Sequence, residues 1–255
     1  MSDVLVLCYH AVSERWEADL SITPRTLEDQ LGLLVSRGYR GATFTNAVTR
    51  PPSGRVLAVT FDDAYRSVLE LGFPILRRLG LPGSVFVPTD FAGSERPMSW
   101  PGIEQWTGGP FERELVPVSW EELGRLAGEG WEIGSHTRSH PHLTQLDDRS
   151  LDAELRGSRE ACEARLGGPC ESLAYPYGDH DGRVVEAAGA AGYRAAGTLP
   201  TRFTARQALS WPRVGVYFGD EGMRFRLKVS RLGRGLRASR AWNLADRLRA
   251  RAPRA

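Results

Sequence analysis

Cysteine is scarce in this chain. The three present, Cys8, Cys162 and Cys170, show no metal-ligand spacing, and an odd number argues against a disulfide framework. Reduced thiols in a cytosolic protein are the simple reading. Long apolar runs are lacking as well: no stretch approaches the roughly 18–20 residues of a membrane-spanning helix. The start, MSDVLVLCYH, has neither a basic n-region nor a long apolar h-region, so no secretory signal is expected and the chain reads as cytoplasmic. Internal repeats are missing. So is a Gly-rich phosphate loop after any early strand, which weakens a nucleotide-binding reading. What remains is an ordinary globular composition, 41% apolar and 25% charged. At 255 residues it suffices for one large α/β domain or two small ones.

Charge is unevenly spread. From Gly222 to Ala255 eleven basic residues face a single acid, Asp246. That segment carries +10, which leaves about −8 on residues 1–221 for the overall +2. Residues 1–221 are therefore expected to form one folded body and 222–255 a basic, Arg-rich, helical extension. Leu232, Leu236, Trp242, Leu244 and Leu248 stand among its arginines. Such a basic amphipathic stretch suits the anionic inner face of a membrane, or else packs as a basic surface tail. Nucleic acid is not an expected partner, since the body is acidic and carries no recognised module.

Strand-like runs alternate with helical ones. VLVLC (4–8), VLAVTF (56–61), GSVFVP (83–88), WEIGSH (131–136), ESLAYPYG (171–178), YRAAG (193–197) and LSWPRVGVY (209–217) read as strands. Helices are expected after Thr23, an N-cap with Pro24 at N1, and over 64–80 with a kink at Pro74. Others are expected over 119–130, opened by the capping box Ser119 and Glu122, and over 143–167. Residues 91–118, rich in Gly, Pro and Trp, read as a long loop over one end of the fold. This alternation implies a largely parallel sheet, either a barrel or an open doubly wound sheet. In both, a site lies at the C-terminal ends of the strands.

Those ends hold the polar candidates His10, Asp62, Asp63, His136 and Tyr177. In GSHTRSHPHL, His136 and His140 are four apart, and one imidazole nitrogen from each suits Zn²⁺. With a carboxylate such as Asp63 they make a His₂Asp set with an open position, the pattern of a catalytic metal. Co²⁺, Ni²⁺ or Fe²⁺ would satisfy the same donors. At a strand end the chain turns, so Asp63 can ligate the ion while Asp62 acts as general base on water. The bland alternative is an N-cap acid beside a first-turn acid. The tight turn AYPYG can present the Tyr177 N–H to an oxyanion, or be an ordinary turn. Neighbouring acids on one strand end cannot easily flank a glycosidic bond as a retaining pair does, which weighs against a glycosidase.

TFDDAY, GSHTRSHPHL and AYPYG, in this order and spacing, resemble the first three motifs of the polysaccharide deacetylases, the NodB-type carbohydrate esterases. The resemblance covers roughly residues 4–218. It implies a distorted (β/α) barrel of about seven parallel strands and a metal-dependent N- or O-deacetylase. It also implies that Asp62 is the base, that Asp63, His136 and His140 hold the metal, and that the Tyr177 backbone takes the oxyanion.

Two departures stand out. Many members have Arg two residues before the Pro of the third motif, where this chain has Ala174; Arg213 in WPRVGV is the candidate substitute partner of Asp62. Many also end in a Leu-x-His that supplies the general acid, and here no histidine follows His180. The LCYHAV start instead resembles the circularly permuted poly-N-acetylglucosamine deacetylases, which implies His10 as the acid, with His180 the rival. The expected substrate is an acetylated amino sugar, lipid-linked if the protein works at the inner membrane face. An O-acetyl esterase, a non-sugar amidase, or an inactive carbohydrate-binding module are the competing readings.

Overall fold

The computed structural model describes residues 3–94, 96–200 and 206–238. Among the described residues eleven strands are formed: β1 (Asp3–Tyr9), β2 (Ala11–Val12), β3 (Ser21–Ile22), β4 (Arg40–Gly41), β5 (Arg55–Phe61), β6 (Gly83–Val87), β7 (Glu132–Ser135), β8 (Ser172–Ala174), β9 (Ala195–Thr198), β10 (Trp211–Pro212) and β11 (Val214–Gly215). The helices are α1 (Pro24–Ser36), α2 (Phe44–Thr49), α3 (Phe73–Arg78), α4 (Trp120–Gly128), α5 (Asp148–Leu166), α6 (Gly182–Ala190), α7 (Gly222–Val229) and α8 (Arg231–Ala238). No helix of the described residues is long and apolar enough to cross a membrane.

Eight strands run parallel in the order β10-β9-β8-β7-β6-β5-β1-β11, with β4 paired on β5 and β2 with β3 in a small separate sheet. The two ends of that order are consecutive in sequence. β10 pairs with β9 through Trp211 and Gly197, β11 pairs with β1 through Val214 and Leu7, and only Arg213 lies between them. One extended run therefore leaves one edge of the sheet and joins the other, so the barrel nearly closes in seven passes of the chain.

Strand periodicity sorts side chains into two layers. In β1 and β5, Leu5, Leu7, Tyr9, Leu57, Val59 and Phe61 enter the large core that also takes in Leu27 and Leu31 of α1 and Leu123 and Leu126 of α4. Val4, Val6, Val56 and Ala58 turn the other way, to Phe86, Ala174, Ala195 and Trp211. Because both faces are covered, these strands read as unbroken apolar runs rather than alternating ones. Helix α2 contributes Phe44, Ala47 and Val48 to the inner cluster, which stoppers the barrel at the N-terminal ends of its strands. Continuing the inward series past the apolar filling gives Cys8 near the end of β1 and His10 beyond it, Thr60 near the end of β5 and Asp62 beyond it, His136 after β7, and Arg213. Sequence periodicity thus aims the polar residues into the open end.

Local chemistry explains the helix starts. Thr23 caps α1 by accepting from Thr26 N, and Ser119 and Glu122 form both halves of a capping box on α4. One helical expectation is corrected. Residues 143–167 split into a 3₁₀ turn, Leu143–Gln145, and α5, because Asp147 accepts from Ser150 N and starts a new helix. The 64–80 segment is helical over 66–78, and it widens into a π turn over Val68–Gly72 directly before the α3 residues that include Pro74. Past the boundary drawn at 221/222, Phe225 and Val229 of α7 belong to the large core. In α8, Arg231 and Arg234 pair with Asp3 at the start of β1. Trp242, Leu244 and Leu248 lie outside the described residues.

Candidate active site

At the open end of the barrel is a cleft of about 660 Å³ whose walls include His10, Asp62, Asp63, His136, His140 and Tyr177. Among the described residues five non-glycines have a left-handed backbone, and all lie in the loops that carry these side chains: Asp63, Ala64, Thr137, His140 and Tyr177. Such conformations cost about 1–3 kcal/mol each and persist where the surroundings impose them, most often at functional sites. The N-cap alternative for the acid pair is excluded, since Asp63 and Ala64 turn away from helical geometry.

Asp62 and Asp63 leave β5 in different directions and meet different partners. Asp62 accepts a two-pronged contact from Arg213, Nη1 to Oδ1 at 2.6 Å and Nη2 to Oδ2 at 2.7 Å. The Cys8 thiol lies 3.3 Å from Oδ2. Burial raises the thiol's pKa well above its ordinary value, so it approaches Asp62 as a neutral donor. Burial opposes ionisation of Asp62 as well, yet the Arg213 cation outweighs it and holds the carboxyl below the usual carboxylate range. Arg213 is itself 1% exposed, and Nη1 also donates to Thr60 Oγ1 at 3.1 Å. Room for it comes from Gly197, where a Cβ would stand 2.6 Å from Nε, and Phe86 lies under its guanidinium at 5.4 Å.

Asp63 faces the histidines. Its Oδ1 lies 3.3 Å from His136 Nε2 and 3.4 Å from His140 Nε2, and this buried oxygen has no hydrogen-bond partner. His136 Nδ1 is 2.7 Å from the Ala174 carbonyl, which can only accept, so that nitrogen carries the proton and Nε2 presents its lone pair to Asp63. Position 174 thus contributes through its backbone. Burial disfavours a charged His136, but Asp62 and Asp63 outweigh it and its pKa rises. At His140 burial wins, and the pKa falls to about 3. Asp63 is lowered, burial notwithstanding, by the same two rings.

A neutral imidazole lone pair and a carboxylate oxygen facing each other across a dry gap are mutually unfavourable unless a cation lies between them. The three ligand atoms lie within 4.8 Å of one another, so the donors fit a divalent ion. The histidine–carbonyl contact behind His136 is the usual outer support of such a ligand.

The remaining candidates divide. His10 lines the cleft, 7% exposed, with its Nδ1 unpartnered. Burial lowers its pKa, while Asp63 and Asp62 pull the other way. His180 does not line that cleft; its Nδ1 is 2.8 Å from the Gly178 carbonyl and its ring stacks on Tyr175. Tyr177 stands at the mouth, its ring 4.6 Å from that of His140 and stacked on His142 at 4.1 Å. Sequence reasoning missed Cys8, Trp100 and Tyr217. Trp100, from the 91–118 loop, stacks on His140 at 4.2 Å, and Tyr217 stacks on His10 at 6.3 Å. The strand-end position of Cys8, two before His10, was the available signal; the tryptophan gave none.

A nearly closed parallel barrel with converging Asp, His and His side chains at its C-terminal mouth is the architecture of a NodB-type deacetylase. A profile of the polysaccharide deacetylase family matches residues 49–196, and the chain belongs to that family. It is 22% identical over 194 residues to YxkH of Bacillus subtilis (strain 168), which carries the name polysaccharide deacetylase; the match spans 74% of this chain and 62% of that protein's length. Its fold is similar to the Streptococcus pyogenes deacetylase PplD, solved in complex with acetate, with a TM-score of 0.73 at 18% identity over 89% of this chain and 98% of the other. It is also similar to IcaB from Ammonifex degensii, with a TM-score of 0.69 at 25% identity over 84% and 91% of the two chains.

Proposed function

We propose that this chain is a metal-dependent carbohydrate N-deacetylase, which hydrolyses the acetamide of an N-acetylated amino sugar to acetate and a free amine. One observation carries the reading: an unsatisfied Asp63–His136–His140 cluster beside a separate carboxylate, Asp62, clamped by Arg213. Asp63, His136 and His140 would hold one divalent ion, zinc by the donor set, which supplies Lewis-acid activation of water and of the acetyl carbonyl. Asp62 accepts the proton of the attacking water. Arg213 keeps that carboxylate ionised and fixes its plane. The Tyr177 backbone N–H, presented by a left-handed turn, donates to the oxyanion as the carbonyl becomes tetrahedral. His10, from another part of the cleft wall, protonates the nitrogen as the C–N bond breaks. Trp100 stacks on His140 and the Tyr177 ring meets it edge-on, contacts that would fix the orientation of this ligand ring.

The role of His10 separates amide from ester. An amine leaves only when protonated, whereas an alkoxide leaves more readily, so an O-acetyl esterase would need the acid less. The deciding experiment is acetate release from N-acetyl sugars and an O-acetyl ester by the chelated protein with Zn²⁺, Co²⁺, Ni²⁺ or Fe²⁺ added back. Metal-restored turnover of the N-acetyl sugars that falls at least tenfold in His10→Gln, with the ester less affected, is expected. Full turnover after chelation overturns the reading.

A further inference from the structure

The cleft wall continues into a surface that the deacetylation reading does not use. Among the described residues six large apolar side chains are exposed, and five of them fall between Phe218 and Leu236. Scattered single exposed apolar residues are ordinary; five in one short segment are not. Helix α7 is two-faced. Phe225 and Val229, four apart, are buried in the core, and on the opposite side Met223 and Leu227, also four apart, are 67% and 61% exposed. Phe218, just before the helix, is 45% exposed, and it and Arg224 both line the cleft. Leu232, in the first turn of α8, is 82% exposed.

Cations flank these apolar groups. From Phe218 to Ala238 six basic residues stand against two acids, Asp220 and Glu221. Lys228 joins Arg224 on Asp220, and Arg231 and Arg234 pair with Asp3, so the described cations outnumber the acids around them by five to three. Asp220 anchors Arg224 through Nε at 2.8 Å while most of that side chain stays in water. Arg226 is exposed. Met223 and Leu227 form a narrow apolar ridge on α7, with Arg224 to one side of it and Arg226 to the other. They suit an anionic lipid surface, where apolar groups enter the acyl boundary and cations meet headgroups.

We propose that α7 and the adjoining rim of the cleft dock on an anionic membrane, and that the acetylated amino sugar is therefore presented to the cleft from a lipid anchor. The second clause rests on the deacetylase reading; the first does not. Phe218 and Arg224 serve both surfaces, so docking places the cleft mouth beside the headgroups.

The test is flotation of the full chain with phosphatidylcholine vesicles and with vesicles that also contain phosphatidylglycerol, for the native chain and for the double variant Met223→Glu, Leu227→Glu. Both positions are exposed and outside the catalytic cleft. Acetate release from a water-soluble N-acetyl sugar is measured in parallel. Binding of the native chain to the anionic vesicles only, about tenfold or more weaker in the variant, with unchanged turnover of the soluble sugar, is expected. Equal flotation of native and variant chains, or no flotation of either, overturns the docking surface. Vesicle binding without acetate release from any N-acetyl sugar, soluble or lipid-linked, sinks the deacetylase reading and leaves the docking surface standing.

Discussion

The two ends of the barrel each hold a carboxylate among strand termini, and they are treated in opposite ways. At the N-terminal end Glu132, the first residue of β7, is saturated. It accepts from Thr45 N at 2.9 Å, from Ser84 Oγ at 3.1 Å, from Ser172 Oγ at 2.6 Å, and from the Thr45 hydroxyl. These are neutral donors from β6, β8 and α2, and they tie the stopper helix to the strands. At the C-terminal end Asp63 Oδ1 is buried with no hydrogen bond, facing two imidazoles. A folded chain tolerates an unsatisfied buried carboxylate only where something else completes it. Glu132 is thus a fully satisfied acid that ties elements together, whereas Asp63 keeps an oxygen that the protein's own donors leave open.

The contrast breaks most sharply at the acid pair. Asp62→Asn is expected to lower kcat by about a hundred- to ten-thousand-fold with one equivalent of metal retained. Asp63→Asn is expected to lose both metal and turnover. Metal analysis beside initial rates separates the two, and equal metal loss in both variants contradicts the division of labour.

Next in size is Arg213→Met, which leaves Asp62 buried without its cation and should cost about 3–5 kcal/mol in denaturant unfolding. The pH dependence follows from the sign of the shift. Asp62 has a folded pKa below its unfolded value, so the pair's stability is fully present above the ordinary Asp range, near 3.9, and is lost as pH falls through the folded value. In Arg213→Met that acid-side loss disappears. The Asp62 pKa rises, and the acid limb of kcat/KM moves to higher pH. An unmoved limb would show that Arg213 does not govern the base.

Smallest is the change at the opposite end. Glu132→Gln turns one acceptor into a donor facing hydroxyl donors and should cost about 1–3 kcal/mol of stability. Turnover per folded molecule should stay within about twofold, since the change lies beyond the apolar filling of the barrel. A large fall in kcat at unchanged stability would erase the distinction between the two ends.

Much of this was legible in the chain. The runs VLVLC and VLAVTF announce strands buried on both faces, and the step of two residues that follows places His10 and Asp62 on the inner side. Thr23, Pro24, Ser119 and Glu122 mark helix starts through contacts spanning three or four residues, which is why those boundaries could be read locally. The pairs Asp62–Asp63 and His136–His140 stand at strand ends, and their residue types and spacing single out the cluster that the fold brings together, Asp63 with His136 and His140.

Other features are invisible at that range. Arg213 meets Asp62 across 151 positions, and only the closure of β10 and β11 onto opposite sheet edges brings it there. Trp100 comes from a loop without periodicity and reaches His140 because the fold lays that loop over the mouth. Ala174 supplies a carbonyl rather than a side chain, and no side-chain motif reports on a backbone atom. By itself the sequence determined which elements form and which residues stand at their ends, since those choices are settled by neighbours a few residues apart. Tertiary structure alone decided which of those ends face one another, because barrel closure is a property of all the strand pairings together.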